Sequence, residues 1–112
     1  MPGDDMTITE RTVGDGIVLV PEGDIDLSRS PQLQARLAEA LSNKPARIVV
    51  DLSKVPYMDS SGVATLVQGL QHCQRAGCEL VIGALHPKVR SIFEIAKLTE
   101  IFRIVDDVDT GD

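Results

Sequence analysis

Asp59-Ser60-Ser61-Gly62 puts one carboxylate and two hydroxyls on consecutive residues, between an apolar run at residues 48–50 and an amphipathic stretch that opens at Val63. A turn that opens a helix presents free backbone N–H groups and the positive end of the helix dipole, and both favour negative charge. Two chemistries suit these residue types at such a place. Asp or Ser can cap the helix by accepting hydrogen bonds from its first N–H groups, with Gly62 loosening the first turn. Alternatively, a serine hydroxyl there can carry a phosphate, which the same N–H groups accommodate. On residue physics alone an ordinary cap is the stronger reading.

Other chemistries fit less well. A serine hydrolase needs a base and an orienting acid within reach of the hydroxyl. The turn lacks the G-x-S-x-G pattern of a nucleophile elbow, and only His72 and His86 could serve as base. His72 falls about three turns down the same helix, roughly 18 Å away at ~1.5 Å rise per residue, and His86 belongs to the start of another helix. Asp24, Asp26 and Asp59 could converge on a cation, but no histidine accompanies them in their loops. Short acidic loops are more often solvated turns in which Asp bonds its own backbone. No metal or other cofactor is therefore expected. No G-x-x-x-x-G-K-[ST] phosphate loop occurs.

The elements that position the turn are legible from periodicity. Residues 6–13 and 17–20 read as a strand pair around the turn glycines 14 and 16, and Pro21 marks a strand end or edge. Ser30-Pro31 signals a helix start, with the hydroxyl at the N-cap and proline at the first helical position. Leu33, Leu37, Ala40 and Leu41 supply its apolar stripe. Residues 46–52 form a strand whose continuous apolar centre predicts burial on both faces. A second helix spans about 61–75, with Val63, Leu66, Val67, Leu70 and Cys73 inward and Gly77 as its C-terminal cap. Residues 80–82 are a further strand. His86-Pro87 opens a third helix with Val89, Ile92, Phe93 and Ala96 inward, and residues 101–104 form a last short strand. The expected fold class is α/β: a mixed sheet of four to five strands with parallel crossovers and helices covering it.

In such sheets sites lie at the carboxyl ends of strands. If the strands that precede them are neighbours, the loops 23–30 and 55–61 bring Asp24, Asp26, Asp59 and Ser60 to one edge.

The chain of 112 residues has room for one domain, expected over 6–105, followed by an acidic tail at 106–112 that should be frayed. Eleven Lys and Arg against 17 Asp and Glu give a net charge of −6, and no basic cluster interrupts it. With Tyr57, Phe93 and Phe102 as its three aromatics, the chain offers neither a phosphate-binding patch nor a stacking platform, so no nucleic-acid partner is expected. No apolar run approaches the ~18 residues of a membrane span, and the acidic N-terminus is unlike a secretory signal. Cys73 and Cys78 lack metal-ligand spacing and read as buried, reduced thiols. These features point to a cytoplasmic protein with protein partners and no membrane association.

Residues 48–67, Ile-Val-Val-Asp-Leu-Ser-Lys-Val-Pro-Tyr-Met-Asp-Ser-Ser-Gly-Val-Ala-Thr-Leu-Val, resemble the core signature of the STAS domain family, and within it the bacterial anti-sigma factor antagonists. The similarity extends upstream to Glu22-Gly-Asp-Ile-Asp26 and downstream through residues 77–82 and 87–93 to Leu98 and Ile101. It implies a STAS-like fold and a binding module rather than an enzyme, with no catalytic residue. The implied phosphoacceptor is Ser60, phosphorylated by an anti-sigma factor that is a serine/threonine kinase and restored by a serine phosphatase. In its dephosphorylated form such a protein sequesters the kinase and frees a sigma factor. The implied partner-binding residues are Asp24, Asp26, Asp59, Ser60, Ser61 and Gly62, with Ser61 mainly supporting the turn. The alternative of the same fold is a scaffold or sensor subunit, in a signalling complex or a lipid-transport assembly, that is not phosphorylated. Many relatives continue into a final helix. The pattern after Val105 is not amphipathic, which leaves the covering of part of the sheet, and the oligomeric state, open.

Overall fold

The computed structural model describes residues 6–108. In chain order it contains β1 (Thr7–Val13), β2 (Gly16–Glu22), α1 (Ser30–Ser42), β3 (Arg47–Asp51), α2 (Ser60–Ala76), β4 (Glu79–Gly83), α3 (Pro87–Ile95), a 3-10 turn (Leu98–Glu100) and β5 (Arg103–Val105). The five strands lie side by side in that same order, with β1 antiparallel to β2 and the remaining neighbours parallel. Val13 faces Gly16 across the hairpin, and Gly14 takes a φ of 60°, as a two-residue turn with glycine first requires.

Each parallel step from β2 to β5 moves to the next strand in one direction. Crossovers of one hand therefore deliver every helix to the same face of the sheet. The burial pattern agrees. Ile17, Leu19, Ile48, Val50, Leu80 and Ile82 share a core with Leu33 and Leu37 of α1, Leu66 and Leu70 of α2, and Val89 and Phe93 of α3. The alternate residues Val18, Val20, Val49, Val81 and Val105 form a second apolar layer on the opposite face, against which Val108 packs. The centre of β3 is buried on both faces, as its apolar run predicts.

At the amino end of that second face, Glu79 bridges Arg47 at 2.8 Å and Arg103 at 2.7 Å, tying three strands together. Arg103 first, with Arg47 adding to it, holds its carboxyl below the usual range against the opposing effect of burial.

Two helix starts differ in detail from expectation. Arg29, not Ser30, is the N-cap residue of α1, and Ser30 is buried as its first residue. The entry is closed from Asp26, whose carboxylate accepts from Arg29 N–H and whose carbonyl accepts from Ser30 N–H. Ser60 opens α2, which Asp59 caps, and Gly77 ends the helix at a φ of 74°. The buried face of α2 is also rotated towards small residues. Gly62, Thr65 and Gly69 are buried, whereas Val63 and Val67 are half-buried. A Cβ on Gly69 would lie 3.2 Å from Leu37 Cδ1, so the glycine lets α1 and α2 approach.

Of the tail expected to fray, Asp106 pairs with Arg90 at 3.1 Å and Val108 lies over Gly83; residues 109–112 fall outside the described residues.

Candidate functional site

Because β2 and β3 are parallel neighbours, the loops that leave their carboxyl ends emerge together. Backbone bonds then stitch them. Gly23 N–H donates to Lys54 O at 2.9 Å, Ile25 N–H to Tyr57 O at 3.0 Å, and Asp59 N–H to Ile25 O at 3.1 Å. Ile25 and Met58 form an isolated parallel bridge, and both side chains are buried. Two loops that could have been mobile are thus a short continuation of the sheet.

On this platform sits the Asp59 turn. The Asp59 carboxylate accepts from the Ser61 hydroxyl, from Ser61 N–H at 2.9 Å and from Gly62 N–H at 3.3 Å. The Leu27 N–H of the other loop reaches the same carboxylate. The Ser61 hydroxyl contributes most to holding its carboxyl below the ordinary range. Ser61 O accepts in turn from the Thr65 hydroxyl at 2.9 Å. Gly62 is buried, and a Cβ there would lie 2.6 Å from Met58 Cγ and 2.8 Å from Ile25 Cγ2. Its lack of a side chain lets α2 start directly above the bridge, a closer constraint than a loosened first turn.

Ser60, the first residue of α2, is exposed, and its hydroxyl has no hydrogen-bond partner among the described residues. The cap falls on Asp59, and the Ser60 hydroxyl is left outside it.

Asp26 resembles Asp59 in spending its carboxylate inward. Oδ1 accepts from the Ser28 hydroxyl at 2.9 Å and from the N–H groups of Ser28 and Arg29, each at 3.1 Å; Oδ2 pairs with the Arg29 guanidinium at 2.7 Å. The Ser28 hydroxyl is the largest influence lowering its pKa, with Arg29 adding to it. Asp24 is exposed and uncommitted among the described residues.

The structure therefore brings Asp24, Asp26, Asp59, Ser60, Ser61 and Gly62 to one end of the sheet, with unequal parts to play. Ser60 and Asp24 face outward, while the others build the turn or its support. Leu27 and Tyr57, which the sequence did not single out as site residues, flank the turn at 76% and 50% exposure. Their signal was a large apolar residue in a loop, outside any strand or helix period that could bury it.

Neither histidine lies beside Ser60 in the chain or in a bond. His86 Nδ1 accepts from Lys88 N–H at 3.2 Å and caps α3, and His72 lines a groove of about 330 Å³ between α1 and α2. Among the described residues no group of three or more His, Cys, Asp or Glu side chains could hold a metal ion, and no helix is long and apolar enough to cross a membrane.

This sheet, with its helices on one face and a serine turn at the carboxyl end of β3, is the architecture of a known family. Residues 6–111 match the STAS domain, and the chain belongs to that family. An anti-sigma-B factor antagonist of Listeria monocytogenes is 30% identical over 97 residues, spanning 87% of this chain and 84% of the relative. Among solved structures, an anti-sigma factor antagonist from Mycobacterium paratuberculosis superposes with a TM-score of 0.86 at 21% identity, covering 96% of this chain and 92% of that one. The Bacillus cell fate determinant SpoIIAA in its phosphorylated form superposes with a TM-score of 0.72 at 18% identity, covering 93% and 94%.

Proposed function

We propose that this protein is an anti-sigma factor antagonist whose affinity for its partner is set by a phosphate on Ser60. In its dephosphorylated form it sequesters an anti-sigma factor serine/threonine kinase in the cytoplasm, freeing a sigma factor, and a serine phosphatase returns it to that form. It acts by binding and is not itself an enzyme. The observation that carries this reading is the division of labour in the turn: Asp59 and Ser61 bond inward, and Ser60 presents an unengaged hydroxyl at the helix start. The name of the Listeria relative and the phosphorylated state of the Bacillus structure support it.

Phosphorylation adds about −1.5 to −2 charges at neutral pH. At the first residue of α2 the helix dipole and free N–H groups favour that charge, so the fold tolerates it. The cost falls on docking, where the partner has to bury a phosphate, at the end of the sheet that also carries Asp24, in place of a neutral hydroxyl. A mismatched buried charge at an interface costs on the order of 2–5 kcal/mol. At ~1.4 kcal/mol per decade this is roughly 30- to 3,000-fold in affinity, enough for a switch without a change of shape.

The test is to incubate the protein with ATP and the candidate anti-sigma factor kinase, locate any phosphate by mass spectrometry, and titrate variants against the same kinase. Ser60→Ala should bind constitutively and Ser60→Asp poorly. Binding by both variants at the parental affinity would defeat the switch, and a domain that binds without acquiring phosphate would be a scaffold or sensor subunit instead.

A further inference from the structure

We infer that Leu27 and Tyr57 form the apolar anchor of the docking surface around Ser60, and that its occupant is the kinase that phosphorylates this serine, bearing an apolar recess for the two side chains and a lysine or arginine opposite Asp24. The inference rests on the reading of Ser60 as a phosphoacceptor and adds what selects the partner.

Five large hydrophobic residues are exposed among the described residues, and two of them, Leu27 and Tyr57, stand on the loops that frame one serine. Their place there is fixed by the backbone. The Leu27 N–H lies near enough to the Asp59 carboxylate to help lower its pKa, and Tyr57 O accepts from Ile25 N–H at 3.0 Å. An apolar residue whose backbone is already fixed loses less freedom on binding than one on a mobile loop. Neither residue has work to do inside the domain: Leu27 is 76% exposed and Tyr57 is 50% exposed.

The charges around them narrow the partner. Asp26 is already neutralised by Arg29 at 2.7 Å, and Asp59 accepts from three donors, so Asp24 is the acid of this set with a carboxylate to spare. An apolar pair beside one free acid and a hydroxyl complements a surface with an apolar recess and a cation. A nucleic acid or an anionic membrane would instead be repelled by the chain's net charge of −6.

The experiment measures binding of the full chain to the purified kinase by calorimetry for Leu27→Ala, Tyr57→Ala, Asp24→Asn, Ser60→Asp and Ile95→Ala. Ile95, 84% exposed at the end of α3, lies at the amino ends of the strands and serves as the control. Leu27→Ala and Tyr57→Ala should each weaken binding by about tenfold or more; Leu27→Ala should leave the melting temperature unchanged, and Tyr57→Ala, at a half-exposed position, should lower it only slightly. Asp24→Asn should weaken binding and flatten its salt dependence. Ile95→Ala should bind as the parent does.

If Leu27→Ala and Tyr57→Ala bind within about twofold of the parent while Ser60→Asp binds poorly, the anchor is wrong and the phosphorylation switch stands. If Ser60→Asp binds normally and the two alanine variants do not, the switch fails and the anchor stands. Sedimentation showing that the alanine variants alter self-association, with kinase binding unchanged, would assign the patch to a second copy of this chain and overturn the inference.

Discussion

Ile25 and Met58 face each other as a single parallel bridge beyond the ends of β2 and β3, with Gly62 resting on both side chains. Three backbone bonds around this bridge join the loops that carry Asp24, Asp26, Asp59 and Ser60. The serine turn is accordingly part of the sheet's frame.

Gly62→Ala tests that frame. A Cβ 2.6 Å from Met58 Cγ and 2.8 Å from Ile25 Cγ2 has to displace two buried side chains, with Ile25 O at 3.2 Å closing the third side. Overpacking of this kind typically costs about 1–3 kcal/mol, more than the ~1 kcal/mol that alanine gains over glycine in a helix. Chemical denaturation should show a lower midpoint with an unchanged slope.

Ser60→Asp should separate stability from binding. A carboxylate at the first residue of α2 meets the helix dipole favourably, by about 0.3–1 kcal/mol at low ionic strength. The melting temperature should hold or rise slightly in this variant, which is expected to bind the kinase poorly. A large drop in melting temperature would mean that lost binding reflects damage to the fold.

The acid limb of stability should depend on Asp59 and Asp26. Both carboxyls are held below their ordinary value in the folded protein, by the hydroxyls of Ser61 and Ser28 first. A lowered folded pKa stabilises at pH above the unfolded value, about 3.9, and that contribution is lost as pH falls through the folded value. Melting temperature should stay level from neutrality to about pH 5 and decline below pH 4. Asp59→Asn should be less stable at neutral pH and show a shallower decline.

Both thiols should resist alkylation in the native state. Burial pushes Cys73 up to about 12, and Cys78 is raised for the same leading reason. Few thiolates then exist near pH 8, and access is poor as well. A thiol-reactive dye should count neither cysteine in the native protein and both after denaturation; rapid native labelling would contradict the buried placement.

Much of this arrangement could be read from residue order. The apolar runs at 48–50 and 80–82 marked the central strands, and parallel connection through helices placed the loops after β2 and β3 side by side. What escaped were features that depend on a neighbour in space. Gly62 looked like a loosened turn because Ile25 and Met58, which demand its bareness, come from two different loops. Ser30 looked like a cap because proline follows it, yet Asp26, four residues earlier, folds back to take the N–H groups. The half-buried places of Val63 and Val67 reflect the close approach that Gly69 permits between α2 and α1, which periodicity cannot register.

The stitches beneath Ser60 run from main chain to main chain, which leaves the identities of residues 24, 27 and 57 free to drift. If these side chains choose the partner, as proposed, duplicated copies of such a protein in one cell could diverge in whom they answer to by exchanging a few of them, without rebuilding the architecture underneath.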